Sequence, residues 1–544
     1  MANTKIKSRD EKLIEAWNEY YKCQKQSHDL YQLLDKYEEY MESNIKDLYK
    51  RGILSSDFLI DMSAGRYEGL PYKPDEAIFE DWVYRKKIIA DSDISENLKS
   101  NLYNMINHWL IYYMERQKLK EKAEEIENKY SNFNRFNSLC IKNFKGFSDK
   151  NSKEENTIKI KPITLIYGPN SYGKSSIMQS LLLLNQTINE NRDYENIPLS
   201  PKGNMVDLGS FEDFINNRDI SKELIIELGF PAKNYINGTK VSQRNCLKEI
   251  SFGLHFKKDE DLKLTKIDFY ENSPGSKEKA HLLLWENNGT EKRDKRTSFF
   301  TFESENDGNN PFLQLKQLEE ILKKIIYISS YRTAPERVFV TVDNAGQYVG
   351  KTGQYTTDLL LYKKNKELRK KVNEWLYNIA KYRLSLNNKS VTSVTLNDEE
   401  TKVNNVNLLD LGSGIAHVLP IITQTFVSKE DMILIEEPEI HLHPRAQAEL
   451  GSMFAEVIKN TENTFIIETH SENILLRLRK LIRRGELSKD DVSVIYVDKK
   501  IGKGSYCIPL KLDDNGHITN INDIPGGFFE EGFNDLFDIN KEQK

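Results

Sequence analysis

The chain has 544 residues, with 78 Lys and Arg against 83 Asp and Glu, a net charge of −5 and 38% hydrophobic residues; its mean hydropathy is −0.63. That is length and apolar content for two or more domains with cores of their own. The charge argues against a generally basic nucleic-acid coat while permitting a local patch, no apolar run approaches the length of a membrane span, and Met1–Ser8 has no hydrophobic core for secretion, so a cytoplasmic protein is expected.

Residues 5 to about 60 place apolar side chains such as Leu30, Leu33, Leu34 and Tyr37 at helical spacing. Gly and Pro in Asp61–Pro74 break that pattern, and helix is expected again from about Glu76 to Tyr130. Trp109, Tyr112, Tyr113 and Met114 give this region enough apolar surface either to close its own core or to dock a partner or sister subunit. Cys23, Cys140, Cys246 and Cys507 are too scattered for a metal knuckle or a disulfide framework, and read as buried or incidental thiols.

Ser138–Phe147 alternates like an edge strand. Thr164-Leu-Ile-Tyr167 is an apolar strand that runs into Gly168-Pro-Asn-Ser-Tyr-Gly-Lys-Ser-Ser176 and then an apolar helix. Gly168 and Gly173 let the backbone curl so that the N–H groups of Asn170 and Ser171 face a phosphate. Lys174 then reaches the β- and γ-phosphates and Ser175 offers a hydroxyl to Mg²⁺. The helix start at Ser175 and Ser176 adds its positive end.

From 222 to 330, short alternating runs such as Glu223–Phe230 and Glu249–Phe256 predict an antiparallel β layer, and the polar stretch 286–310 predicts a loop. Tyr327–Pro335 reads as a strand and a loop bearing Arg332, with Arg337 just beyond. Either guanidinium suits a phosphate or a carboxylate, or a surface ion pair. The basic runs 363–372 and 477–484 lie in helical patterns and read as solvated faces. Leu411-Gly-Ser-Gly414 opens an apolar helix, either as a second anion site at Ser413 and Gly414 or as an N-cap without a ligand.

Met432-Ile-Leu-Ile-Glu-Glu437 is an apolar strand ending in two carboxylates. Beside the phosphate loop, Glu436 would hold Mg²⁺, and Glu437 would orient and deprotonate an attacking water. Thr464–Ser471 is a second such strand, whose His470 can hydrogen-bond a γ-phosphate.

This order of parts resembles the ABC-type ATPases of the SMC/RecF group, in which a signature turn of one subunit closes over ATP held by another. Leu411-Gly412-Ser413-Gly414 stands where Leu-Ser-Gly-Gly is usual, with its serine displaced by one place. No sustained heptad run supplies the long coiled coil of SMC proteins. The motifs Glu436-Glu-Pro-Glu-Ile-His-Leu-His-Pro444, Glu468-Thr-His-Ser471, Leu181–Gln186, Val206–Asp213 and Tyr331–Arg337 are similar to the OLD-type and Septu-type phage-defence ATPases. The tail Pro525–Glu531 is similar to one subset of them.

The resemblance implies an α/β ABC-type P-loop ATPase head over 136–544, with 222–410 as inserted β and helical subregions, and a helical region over 1–135 for partner or oligomer contacts. It implies ATP and Mg²⁺ as cofactors and pairing as a homodimer or higher homo-oligomer. A separate effector such as a nuclease, with DNA as a further partner, also follows from it, while no membrane role does. Gln186 resembles the glutamine that reaches the metal in such heads; the spacing of His441 and His443 could suit a metal, but the resemblance assigns their loop to communication between two ATP sites.

Three functions compete on the sequence: an ATPase gating a separate effector in anti-phage defence, a nuclease in its own right, and a nucleotide-locked scaffold. A DNA-repair-type ATPase acting on DNA ends is a further alternative. The 74 residues after His470 leave little room for an added nuclease domain, which favours the first.

Overall fold

A computed structural model describes residues 136–520, except 191–197, 234–246, 260, 273–279, 287–310, 334–336, 338, 341–345, 363, 387–390, 393, 399 and 411–412, together with scattered positions between 19 and 122. The predicted break at 61–74, the predicted loop 286–310 from residue 287 on and the tail at 525–531 lie outside the described residues. So do Leu411, Gly412, Cys246 and most of the predicted N-terminal helices.

The chain divides into two compact units, Lys12–Asn132 and Met1–Glu11 with Phe133–Lys544. In the smaller unit the described positions are mostly helical; Cys23, Ile89 and Leu102 are buried, while Ile111 and Met114 are exposed.

The larger unit is a mixed α/β structure built on two six-stranded sheets. One is antiparallel, in the order β2 (Thr157–Lys159), β1 (Ser138–Lys142), β4 (Leu224–Lys233), β5 (Leu247–Lys258), β6 (Leu262–Asn272), β7 (Ala280–Glu286). β1 is therefore not the edge strand that its alternation suggested. Residues 157–159 return to pair with Ser138–Cys140, and β4 pairs on the other side, so both rows of backbone groups are satisfied inside the sheet.

The second sheet runs β17 (Gly504–Leu510), β16 (Val492–Lys500), β3 (Ile163–Tyr167), β15 (Thr464–Glu468), β14 (Met432–Glu436), β8 (Ile325–Ile328). All neighbours in it are parallel except the β16–β17 hairpin. Smaller pairings join β9 (Phe339–Val340) to β11 (Val391–Thr392), and β12 (Val394–Asp398) to β10 (Tyr382–Leu386) and β13 (Val406–Asn407).

The parallel strands are apolar runs because both of their faces are covered. Alternate side chains sort to opposite sides. Ile166, Met432, Leu434 and Ile466 join the core shared with the antiparallel sheet and helix α1 (Lys174–Glu190), which contributes Leu181–Leu184. Leu165, Ile433, Ile435, Phe465 and Ile467 pack into the other core. That core also holds α3 (Lys366–Ala380), α4 (Ser413–Val427), α5 (Pro444–Asn460) and α6 (Glu472–Arg483), α2 (Pro311–Lys323) lying on the first side. Among the described residues no helix is long and apolar enough to cross a membrane.

Candidate functional site

The strand order decides the site. β3 lies beside β15 and β15 beside β14, and the register sets Glu468 next to both Ile166 and Glu436. Adjacent strands are about 4.8 Å apart, so the phosphate loop and the acidic strand ends meet at the C-terminal ends of these central strands.

The loop needs its glycines. Gly168 has φ +141° and a Cβ there would sit 2.3 Å from the Val497 carbonyl oxygen; Gly173 has φ +111°. Ser171, at φ +65°, takes the left-handed conformation without being glycine. α1 then starts at Lys174, with its first N–H groups free of helical partners. Asn170, Ser171, Gly173, Lys174, Ser175 and Ser176 line one cavity of about 520 Å³ together with Glu437.

Lys174 is 4% exposed. Its ammonium donates to the Pro169 carbonyl at 3.1 Å and lies 4.0 Å from Glu468 Oε1. Burial lowers its pKa, while Glu468 and Glu437 pull the other way. The Ser175 hydroxyl donates to Glu468 Oε1 at 3.0 Å. Burial, and after it the charge of Glu436, pushes the Glu468 carboxyl up to about 7 against the bond from Ser175 and the charge of Lys174.

At the tip of β14, Glu436 accepts from the Ser330 N–H and hydroxyl at 3.2 and 3.3 Å. It stands next to the cavity rather than among the residues that line it. Glu437 has φ +43°, and its N–H donates to the Glu468 carbonyl at 2.8 Å. A left-handed glutamate held this way turns its side chain out of the sheet and into the cavity. His470 is exposed beyond β15, its N–H donating to Glu439 at 2.6 Å. Partial burial and the nearby Lys174 charge lower its pKa, which favours the neutral imidazole.

Arg332 is buried, and its Nη2 donates to the Glu436 and Glu437 carbonyls, so it braces the acidic turn from behind. Burial brings its pKa down to about 10 against the pull of Glu439, Glu436 and Glu437. Arg337 forms a two-pronged exposed pair with Asp410 at 2.7 and 3.0 Å, next to the start of α4. Ser413 is exposed at that start, and a Cβ on Gly414 would stand 2.5 Å from the His441 carbonyl oxygen. Neither lines the cavity of this chain. His443 caps α5 by accepting from the Arg445 N–H, and His441 stacks near His417 with ring centroids 5.2 Å apart.

At the site the structure corrects a further expectation. Gln186 does not reach the site, because its amide is committed to a buried loop: Nε2 donates to the Ser200 and Val206 carbonyls and Oε1 accepts from the Met205 and Val206 N–H groups. Five cavity residues, Lys145, Gly146, Gln179, Lys499 and Ser505, carry no motif. Ser505 comes from the β16–β17 hairpin, more than three hundred positions along the chain from the loop. Glu468 had a visible signal, an apolar strand ending in a carboxylate as β14 does.

The Ser175 hydroxyl and the Glu468 carboxylate it meets offer oxygen donors, as Mg²⁺ prefers, and Glu468 Oε2 is buried without a hydrogen-bond partner. Among the described residues no three His, Cys, Asp or Glu side chains converge as a metal cage.

The AAA ATPase domain family matches residues 135–475. No curated protein matches the chain. Similar solved structures include the SMC head domain from Thermotoga maritima, at 14% identity and TM-score 0.34 over 69% of this chain and 99% of that one. Another is the SmcHead bound to the C-winged helix domain of ScpA, at 12% identity and TM-score 0.37 over 69% and 98%. A third is the Smc head domain with an extended coiled coil bound to the C-terminal domain of ScpA derived from Pyrococcus furiosus, at 12% and 0.34 over 69% and 96%.

Proposed function

The chain belongs to the AAA ATPase domain family, and from that premise we propose that it binds ATP with Mg²⁺ in the cavity around Lys174 and hydrolyses it. The observation that carries this reading is the joint position of Lys174, Ser175 and Glu437 on one cavity at the helix start. Lys174 and the loop N–H groups of Asn170 and Ser171 take the β- and γ-phosphates. Ser175 and Glu436 would hold Mg²⁺, which when bound neutralises phosphate charge. Glu437 orients a water and accepts its proton as the water oxygen bonds to the γ-phosphorus and the bond to the β,γ-bridging oxygen breaks. His470 donates a hydrogen bond to the γ-phosphate.

Exposed Ser413 and half-buried Gly414 open α4, a helix start suited to meeting ATP held by a second copy, so the head works as a homodimer or higher homo-oligomer. The motifs at 436–444 and 468–471 support a place in bacterial anti-phage defence, with turnover gating a separate effector such as a nuclease. Residues 1–135 would hold that partner or further copies. A DNA-end substrate has less support, because Arg477 is tied to Glu449 and Ser452, and Arg479 and Arg483 to the carbonyls of Gly516 and Asn515. The displaced Ser413 favours the nucleotide-locked scaffold as the second reading.

Phosphate release from Mg-ATP by the purified chain separates the two. Release that exceeds the Glu437→Gln background supports the ATPase, and none above it leaves the scaffold. Removing residues 1–135 should keep ATP binding and abolish partner capture or higher assembly; a truncated chain that assembles as the parent does would assign this region to folding alone.

A further inference from the structure

Glu468 has no task in the scheme above, yet it occupies the centre of the site. It is 5% exposed and lines the cavity. Its Oε1 takes the Ser175 hydroxyl at 3.0 Å, and its Oε2 is buried without a hydrogen-bond partner. Lys174 stands 4.0 Å away and already donates to Pro169, so it is an incomplete counter-charge. The nearest other charged groups, Glu436 and Glu437, have the same sign. A carboxylate in such a place is costly unless a cation completes it. Asp268, a buried acid on the antiparallel sheet, does have close partners, Lys266 at 2.9 Å and His255 at 3.0 Å.

We infer that Glu468 is a direct ligand of the divalent cation that accompanies the nucleotide, sharing it with Ser175 through the oxygen that has no partner in the protein. The inference rests on the ATPase reading. The cation it selects is a hard, oxygen-loving one such as Mg²⁺ or Mn²⁺. Metal and nucleotide then become strongly coupled, because without the cation Glu468 faces the γ-phosphate charge for charge, and with it the two share a ligand.

The test uses the full chain with the non-hydrolysable analogue AMP-PNP. Mn²⁺ is titrated into the analogue-saturated protein and followed by electron paramagnetic resonance, while calorimetry measures AMP-PNP affinity in EDTA. Glu468→Gln should weaken Mn²⁺ at least about tenfold, and leave AMP-PNP affinity in EDTA equal to or above that of the parent. A folded Glu468→Gln protein with parental Mn²⁺ affinity overturns the inference. Should that variant not fold, anomalous diffraction from Mn²⁺ in AMP-PNP crystals of the parent decides: an ion about 2.1 Å from a Glu468 oxygen supports it and a more distant ion overturns it. If the parent does not bind AMP-PNP, or binds it equally after Lys174→Ala, the ATPase reading itself fails. Lys174-dependent binding with an indifferent Glu468 sinks this inference alone.

Discussion

The two sheets of the larger unit treat buried charge in opposite ways. On the antiparallel sheet, Lys153 and Ser251 meet Glu227 at 2.5 and 2.7 Å, and His255 bridges Glu223 and Asp268 at 3.2 and 3.0 Å. No buried atom of these acids or of His255 lacks a hydrogen-bond partner. At the tips of the parallel sheet, Glu468 Oε2, Glu439 Oε2, Ser505 Oγ and Arg332 Nε and Nη1 are buried and unpartnered. Buried polar groups are normally paired, and a cluster that is not points to a ligand. Charge completed by the fold serves the fold, whereas the charge left open at the strand ends lies where the proposed nucleotide and cation would meet it.

Substitutions on the two sides should therefore fail differently. Glu437→Gln keeps shape and hydrogen bonding but removes the base, so turnover should fall by about 10²–10⁴-fold while ATP affinity persists. Parental phosphate release from that variant would move the base to Glu436 or Glu439. Lys174→Ala should weaken ATP roughly 10²-fold in a chain that folds as the parent does; unchanged affinity by calorimetry breaks the assignment of the loop.

Asp268→Ala should do the reverse. It strips His255 and Lys266 of their shared partner and should cost about 3 kcal/mol of stability in denaturant unfolding, with the ATP affinity of the folded fraction untouched. A loss of affinity without a loss of stability would put Asp268 in the functional class and erase the contrast. The smallest effect is expected at Gln186. Gln186→Ala orphans backbone groups of the 200–206 loop and should cost about 1–3 kcal/mol, leaving the metal dependence of ATP binding as in the parent. A shifted Mg²⁺ requirement in a stable Gln186→Ala protein would return that side chain to the site.

Much of this site was legible because local chemistry dictates it. A loop with φ values near +141° and +111° needs Gly168 and Gly173, a helix start needs partners for its N–H groups, and a buried strand must be apolar until it reaches its functional end. These rules act over a few residues, so Lys174, Ser175, Glu436 and Glu437 are legible in the sequence, and so is the antiparallel character of 222–286. The glutamine failed for the same reason. A Gln at the end of an apolar helix has one local appearance whether its amide meets a metal or, as here, four backbone groups of a distant loop. Only the tertiary structure decided that, just as it decided that 157–159 would cover the outer side of β1.

The sequence by itself determined the apolar strands at 164–167, 432–436 and 464–468, the loop that follows the first and the charge that ends the other two. The sheet order β16-β3-β15-β14 determined the rest: it brought Glu468 beside Ser175 from 293 residues away and Ser505 beside Gly173. Such pairings depend on which strand hydrogen-bonds to which, and the apolar residues that drive them into one sheet are interchangeable in composition. Burial therefore specifies that these strands are inside without specifying their neighbours, and the neighbours are what make the site.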